Sequence, residues 1–206
     1  MSPAMRHRRA GFTLIELMAV LLIIGILVVF FTTSGMGLLR DTKRRQAEAQ
    51  MTTLSSNILE YRSFSGDFPS DRLPPGAGDN GLNSPAEALY VALFDPRYSG
   101  QAPKLEWLVN TDNDATARSL TSLPERELFE IGDPWGNPVL YFDYRRYAET
   151  EATVHAGPEG EVSEQRVRPR KSVKTGAWHE PNAFQLLSAG EDGVFGTDDD
   201  VANYTE

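Results

Sequence analysis

The 206-residue chain contains no cysteine, so disulfides, thiol nucleophiles and thiolate-bound metals are all excluded. His155 and His179 stand alone in polar surroundings, without a His-x-x-x-His pair, which argues against zinc. There is no nucleophile elbow and no glycine-rich phosphate loop. An excess of basic charge is missing too. Lys and Arg number 20 against 29 Asp and Glu, for a formal charge of −9, and a chain so acidic lacks the face that binds nucleic acid. What is present is 40% hydrophobic and 24% charged, an ordinary balance for one modest domain beside one long apolar run.

That run is Phe12-Thr13-Leu14-Ile15-Glu16-Leu17 continuing to Phe30-Phe31, preceded by the basic leader Arg6-His7-Arg8-Arg9-Ala10-Gly11. At about 20 residues and about 1.5 Å per residue, a helix over 12–31 matches the roughly 30 Å of bilayer hydrocarbon. It is too long for a secretory signal core, and Thr32-Thr33-Ser34 behind it offers only a weak cleavage site. The basic leader predicts a cytoplasmic start and export of the rest. Glu16 lies inside the apolar segment, where a charge costs about 2.5–3.5 kcal/mol on insertion scales and therefore requires a partner.

These residues resemble the class III signal of type IV pilins and of the pseudopilins of type II secretion. The resemblance implies that a prepilin peptidase cuts between Gly11 and Phe12, that the new Phe12 amine is methylated, and that Glu16 meets the Phe12 amine of a neighbouring subunit. A plain N-terminal anchor with a tolerated Glu is the alternative.

Farther along, Thr32 to Gly37 is weak in helical propensity, and helix-favouring residues resume from Leu38 to about Ser63, which predicts one long helix with a soft joint. Ala47, Met51, Leu54, Ile58 and Tyr61 recur at helical spacing as a single core-facing stripe. Arg40, Lys43, Arg44 and Arg45 cluster beyond the apolar run, facing headgroups, acidic neighbours or water. Phe64-Ser65-Gly66-Asp67-Phe68-Pro69 carries stop chemistry, and, with Tyr61, is similar to the exit of the pseudopilin helix. A loop over 73–83 precedes a short helix from Ser84 to Phe94, with Ser84 at N-cap and Pro85 in the first turn. The middle of the chain, 95–131, shows no firm period.

Gly132-Asp133-Pro134-Trp135-Gly136-Asn137-Pro138 predicts a tight turn before a strand at 139–144, with Asp133 as turn former rather than catalytic acid. This turn also resembles the major pseudopilin. The polar stretch 148–176, with alternating charges and no apolar face, predicts an exposed hairpin or loop, and 183–188 the last strand.

Glu191, Asp192, Asp198, Asp199 and Asp200 crowd a glycine-rich C-terminal loop, where like charges repel unless a cation lies among them. Carboxylate and carbonyl oxygens favour calcium, although the spacing is not that of an EF-hand; an acidic solvated tail is the alternative. Ser188-Ala189-Gly190-Glu191-Asp192-Gly193 followed by Gly196-Thr197-Asp198-Asp199-Asp200-Val201 is similar to the calcium loop of the major pseudopilin. On that resemblance Asp192, Asp198, Asp199 and Asp200 are ligand candidates, with carbonyls near Leu187 and Val194.

The expected fold is therefore α+β, a pilin-like lollipop: a long N-terminal helix packed on a small antiparallel sheet with a C-terminal Ca2+ loop. Its expected parts are a cleaved leader (1–11), a transmembrane half-helix (12–31), an exported half-helix (32–63) and a globular domain (64–206). The resemblance implies a non-enzymatic subunit of a periplasmic pseudopilus that acts as a piston in protein secretion. The resemblance also implies a single-pass protein of the bacterial inner membrane before assembly, its leader cytoplasmic and its C-terminal domain periplasmic. Implied partners are further copies of itself, minor pseudopilins, an inner-membrane assembly platform with its ATPase, and the prepilin peptidase. The alternatives are a type IV pilus or minor pilin subunit, whose usual C-terminal cysteine pair is missing, and a membrane-tethered calcium-binding or adhesive module. An exported hydrolase lacks its nucleophile, base and zinc set.

Overall fold

A computed structural model describes residues 13–158 and 162–205, with 30–40 as backbone alone. The chain divides into two compact units, Met1–Asp41 and Thr42–Glu206, with helix α1 (Leu14–Ser65) contributing to each.

In the first unit the start of α1 is tied by reciprocal bonds. The Thr13 amide and hydroxyl each donate to Glu16 Oε2 at 2.8 Å, and the Glu16 amide donates to Thr13 Oγ1 at 3.3 Å. This is capping-box geometry, which satisfies amides that have no partner in the first turn. The large apolar side chains from Leu14 to Val29 are 44–77% exposed. Among the described residues no helix is long and apolar enough to cross a membrane. The expected span at 12–31 extends past them at both ends, onto Phe12 and the side chains of Phe30 and Phe31. The backbone of α1 is unbroken through Thr32–Gly37, where a soft joint was expected. An interior glycine costs a helix only about 1 kcal/mol relative to alanine, too little to end a helix of this length.

In the second unit α1 buries Ala47, Met51, Leu54 and Ile58, as the stripe predicts, while Tyr61 packs at its edge. Gly66, at φ 88°, turns the chain out, its amide donating to the Arg62 carbonyl at 2.8 Å. Left-handed backbone of this kind is where glycine is least strained. Helix α2 (Ser84–Leu93) follows. Its N-cap is Asn83 rather than Ser84, and no side chain caps the helix; Pro85 stands in the first turn, where its missing amide is harmless. The Asn83 side chain is instead directed into the interior, as described below.

Strands β1 (Leu108–Val109) and β2 (Glu130–Ile131) form an antiparallel pair. Strands β3 (Leu140–Asp143), β6 (Phe184–Ser188) and β7 (Val201–Ala202) form an antiparallel sheet in the order β3-β6-β7. Strand β6 lies in the middle and is buried throughout. Strands β4 (Ala152–Ala156) and β5 (Ser163–Val167) pair as a hairpin. This last pair corrects the expectation that 148–176 has no apolar face. Ala152, Val154, Ala156 and Val167 all point inward, against Leu140, Phe142, Tyr147 and Leu187. Period-two alternation places every second residue of β4 on one face, and small apolar residues suffice to fill it. A second cluster joins the α1 stripe to Leu89, Tyr90, Leu93, Tyr141 and Leu186.

Candidate functional sites

Asp133 organises the turn before β3. Its Oδ1 accepts from the amides of Trp135 and Asn137 at 2.9 Å each, and its Oδ2 accepts from Ser188 Oγ at 2.6 Å. Gly136 supplies the φ of 91° that the turn requires. Burial raises the Asp133 carboxyl above its usual range, opposed by these bonds. Both carboxyl oxygens accept hydrogen bonds that fix the turn, as suits a turn former. Asn137 extends the link: its Oδ1 accepts from the Gly157 amide at 2.9 Å.

The C-terminal loop runs from Ala189 to Asp200 and closes on itself. The Asp192 amide donates to Asp199 Oδ2 at 2.9 Å, and Asp192 Oδ1 accepts from the Val194 amide at 2.8 Å. Gly190, at φ 67°, passes so close to the Asp199 backbone that a Cβ would collide with it. Asp200 Oδ2 accepts from the Gly196 amide at 2.8 Å and pairs with the Arg170 guanidinium, while Asp200 Oδ1 is buried with no hydrogen-bond partner. Burial pushes Asp200 up, opposed by the Gly196 amide and by Arg170. Burial also acts to raise Asp199, but hydrogen bonds from Thr197 and from the amides of Asp192 and Glu191 outweigh it and hold Asp199 low. Asp192, Val194 and Asp198 are exposed, and the Val194 carbonyl accepts from Thr197 Oγ1 at 3.2 Å. Leu187 is mid-strand between β3 and β7. The sequence reading missed Arg170 and Gln165; the latter takes the Phe195 amide at 3.0 Å and donates to the Gly193 carbonyl at 2.7 Å. Asp192, Val194, Asp198, Asp199 and Asp200 thus share one loop, with Leu187 on the strand before it, but among the described residues they are not the carboxylates that converge closely.

Those that do converge are Glu87, Asp112 and Glu130, each with one oxygen within 4.8 Å of the others. Glu87 is on the first turn of α2 and Glu130 on β2, both without solvent exposure, and Asp112 follows β1 half-buried. Glu130 Oε1 accepts from Asn83 Nδ2 at 2.6 Å, and its Oε2 from the Thr111 amide at 3.2 Å. Asp112 Oδ2 accepts from Asn80 Nδ2 at 3.0 Å. Burial, then Asp114, Asp112, Glu130 and Asp79, push Glu87 up to about 10. Burial and Asp112 push Glu130 up to about 8, against bonds from Asn83 and Thr111. Asp114 is raised to about 6 by burial, Asp112 and Asp79. A lone acid in the otherwise apolar Ser84–Leu93 helix was the available signal, together with the Asp79-Asn80 and Asp112-Asn113-Asp114 clusters.

Gly11 and Phe12 lie outside the described residues, but the comparisons reach them. Residues 6–32 match the family model of the prokaryotic N-terminal methylation motif. The chain carries that motif. Over 197 residues it is 24% identical to type II secretion system core protein G of Escherichia coli K12, covering 96% of this chain and 92% of the relative. It is likewise 24% identical over 200 residues to type II secretion system core protein G of Klebsiella michiganensis, covering 97% and 96%. The resemblance to the pilin-like subunits of type II secretion is thereby borne out. No solved structure matches the chain.

Proposed function

We propose that this chain is a structural subunit of the pseudopilus of type II protein secretion. The similarity to core protein G along nearly the whole chain carries the reading, together with the methylation motif over 6–32. On this reading the chain is not an enzyme. It enters the bacterial inner membrane with its leader cytoplasmic and its domain periplasmic, loses residues 1–11 to a prepilin peptidase, and polymerises through its apolar helices. Minor pseudopilins, an assembly platform and its ATPase are the proposed partners. Mass spectrometry of the chain from a host with active peptidase should show Phe12 as a methylated first residue. An intact leader there would overturn the reading.

The C-terminal loop is proposed to take calcium. Its carboxylate and carbonyl oxygens suit a hard cation, and the buried Asp200 Oδ1, without a hydrogen-bond partner, supports the reading. Asp192, Asp198, Asp199 and Asp200, with carbonyls near Leu187 and Val194, would hold the ion, and its charge would offset the repulsion among the acids. A cation that binds only the folded form stabilises it by about 2.7 kcal/mol at a hundredfold excess over Kd. The full chain in detergent should therefore melt higher in calcium than in chelator, and Asp192→Ala with Asp198→Ala should shrink the gain. An undiminished gain in the double variant would show that the loop binds no calcium.

A further inference from the structure

We propose that Glu87, Asp112 and Glu130, with Asp114 beside them, form an interior divalent-cation site, separate from the C-terminal loop and suited to calcium. Three observations carry this. First, the three carboxylates arrive from different parts of the chain, the start of α2, the turn after β1 and strand β2, yet place oxygens within 4.8 Å of one another. Three oxygens within 4.8 Å of one another lie no more than about 2.8 Å from a common centre, and calcium accepts oxygens at about 2.3–2.6 Å, so shifts of a few tenths of an ångström bring all three onto one ion. Magnesium, at about 2.0–2.1 Å in strict octahedral geometry, demands a tighter set.

Second, the oxygens are short of donors. Glu87 is fully buried and no donor is in place for either of its oxygens; the same holds for both oxygens of Asp114. Glu87 also lies within reach of Asp114, but two carboxylates have no proton to share unless one is taken up. Buried polar atoms in native proteins almost always find a partner, and four such oxygens from two side chains beside two further acids point to a ligand.

Third, the surrounding polar groups hold the acids in place without using up their lone pairs. Asn83, at φ 51°, donates Nδ2 to Glu130 and to Thr111 Oγ1, while its Oδ1 accepts from the His155 amide at 2.9 Å. Asn110 clamps the turn that carries Asp112 and Asp114: its Oδ1 accepts from the Asp114 amide at 3.2 Å, and its Nδ2 donates to the Asp114 carbonyl at 2.9 Å. The half-buried Asp112 and the exposed Asp79 mark the side from which an ion enters.

The competing account is a carboxyl group that simply retains its proton. Calorimetric titration with calcium chloride separates the two, using the full-length chain in detergent after EDTA treatment. Wild type, Glu87→Gln, Asp112→Asn and the loop variant Asp192→Ala with Asp198→Ala are compared, with circular dichroism in EDTA as the check on folding. The loop variant should still bind one equivalent of calcium, and Glu87→Gln and Asp112→Asn should each weaken that binding at least tenfold. Glu87→Gln should fold in EDTA at least as well as wild type, because it removes a buried acid. Magnesium should bind at least tenfold more weakly than calcium. The proposal fails if the loop variant binds no calcium, or if Glu87→Gln binds it with wild-type stoichiometry and affinity. Neither failure bears on assembly of the pseudopilus, which is read from Phe12 processing.

Discussion

Glu16 can be held by its own helix or by a neighbouring subunit, and glutamine separates the two. Within the chain, Glu16 accepts both Thr13 donors, and a Gln carbonyl would accept them equally well. The proposed bond to the Phe12 amine of another copy is an attraction between charges, which Gln cannot supply. Glu16→Gln should therefore keep the capping contacts, insertion and Phe12 processing, and still lower pseudopilus assembly by about tenfold or more. Pilus counts and immunoblots of sheared filaments read the result. Wild-type assembly by Glu16→Gln would reduce Glu16 to a helix cap.

At the scale of elements, the α1 stripe shows how far period alone reaches. Leu54 is fully buried and Leu59, five residues on, is 50% exposed, so the two leucines make a matched test. Leu54→Ala should cost about 2–5 kcal/mol in denaturant unfolding, and Leu59→Ala should stay within about 0.5 kcal/mol. Equal costs would mean that the stripe does not face the core. The stripe was legible because it needs only helical spacing, and the turn at Asp133 because it needs only local bonds. Strand β4 was not, since Ala152, Val154 and Ala156 are too small and too interleaved with polar residues to stand out against the charges of β5. Of the C-terminal loop, the acids were legible but their restraints were not. Arg170 and Gln165 reach Asp200, Gly193 and Phe195 only because the strands fold back across the loop. The convergence of Glu87, Asp112 and Glu130 belongs to the same class: each residue lies in a different element, and no local period links them.

The molecule as a whole combines two environments that water treats differently. Both hydrophobic clusters are built from residues of Thr42–Glu206, from Ala47 onward, so that unit carries a complete core of its own. Residues Leu14 to Val29 instead present a row of large apolar side chains that are roughly half-exposed or more, whereas soluble monomers rarely leave patches beyond a few hundred Å² uncovered. The proposed removal of Arg6, Arg8 and Arg9 with the leader would take the formal charge from −9 to −12, which would favour solubility of the acidic unit but would not cover the apolar helix. A chain beginning at Thr42 should therefore be monomeric in buffer by sedimentation and unfold in one cooperative transition. The full chain should need detergent or lipid to remain dispersed. If the shorter chain melts without cooperativity, or aggregates as the full chain does, then α1 before residue 42 is part of what holds the domain together, and the division at Asp41 is not a folding boundary.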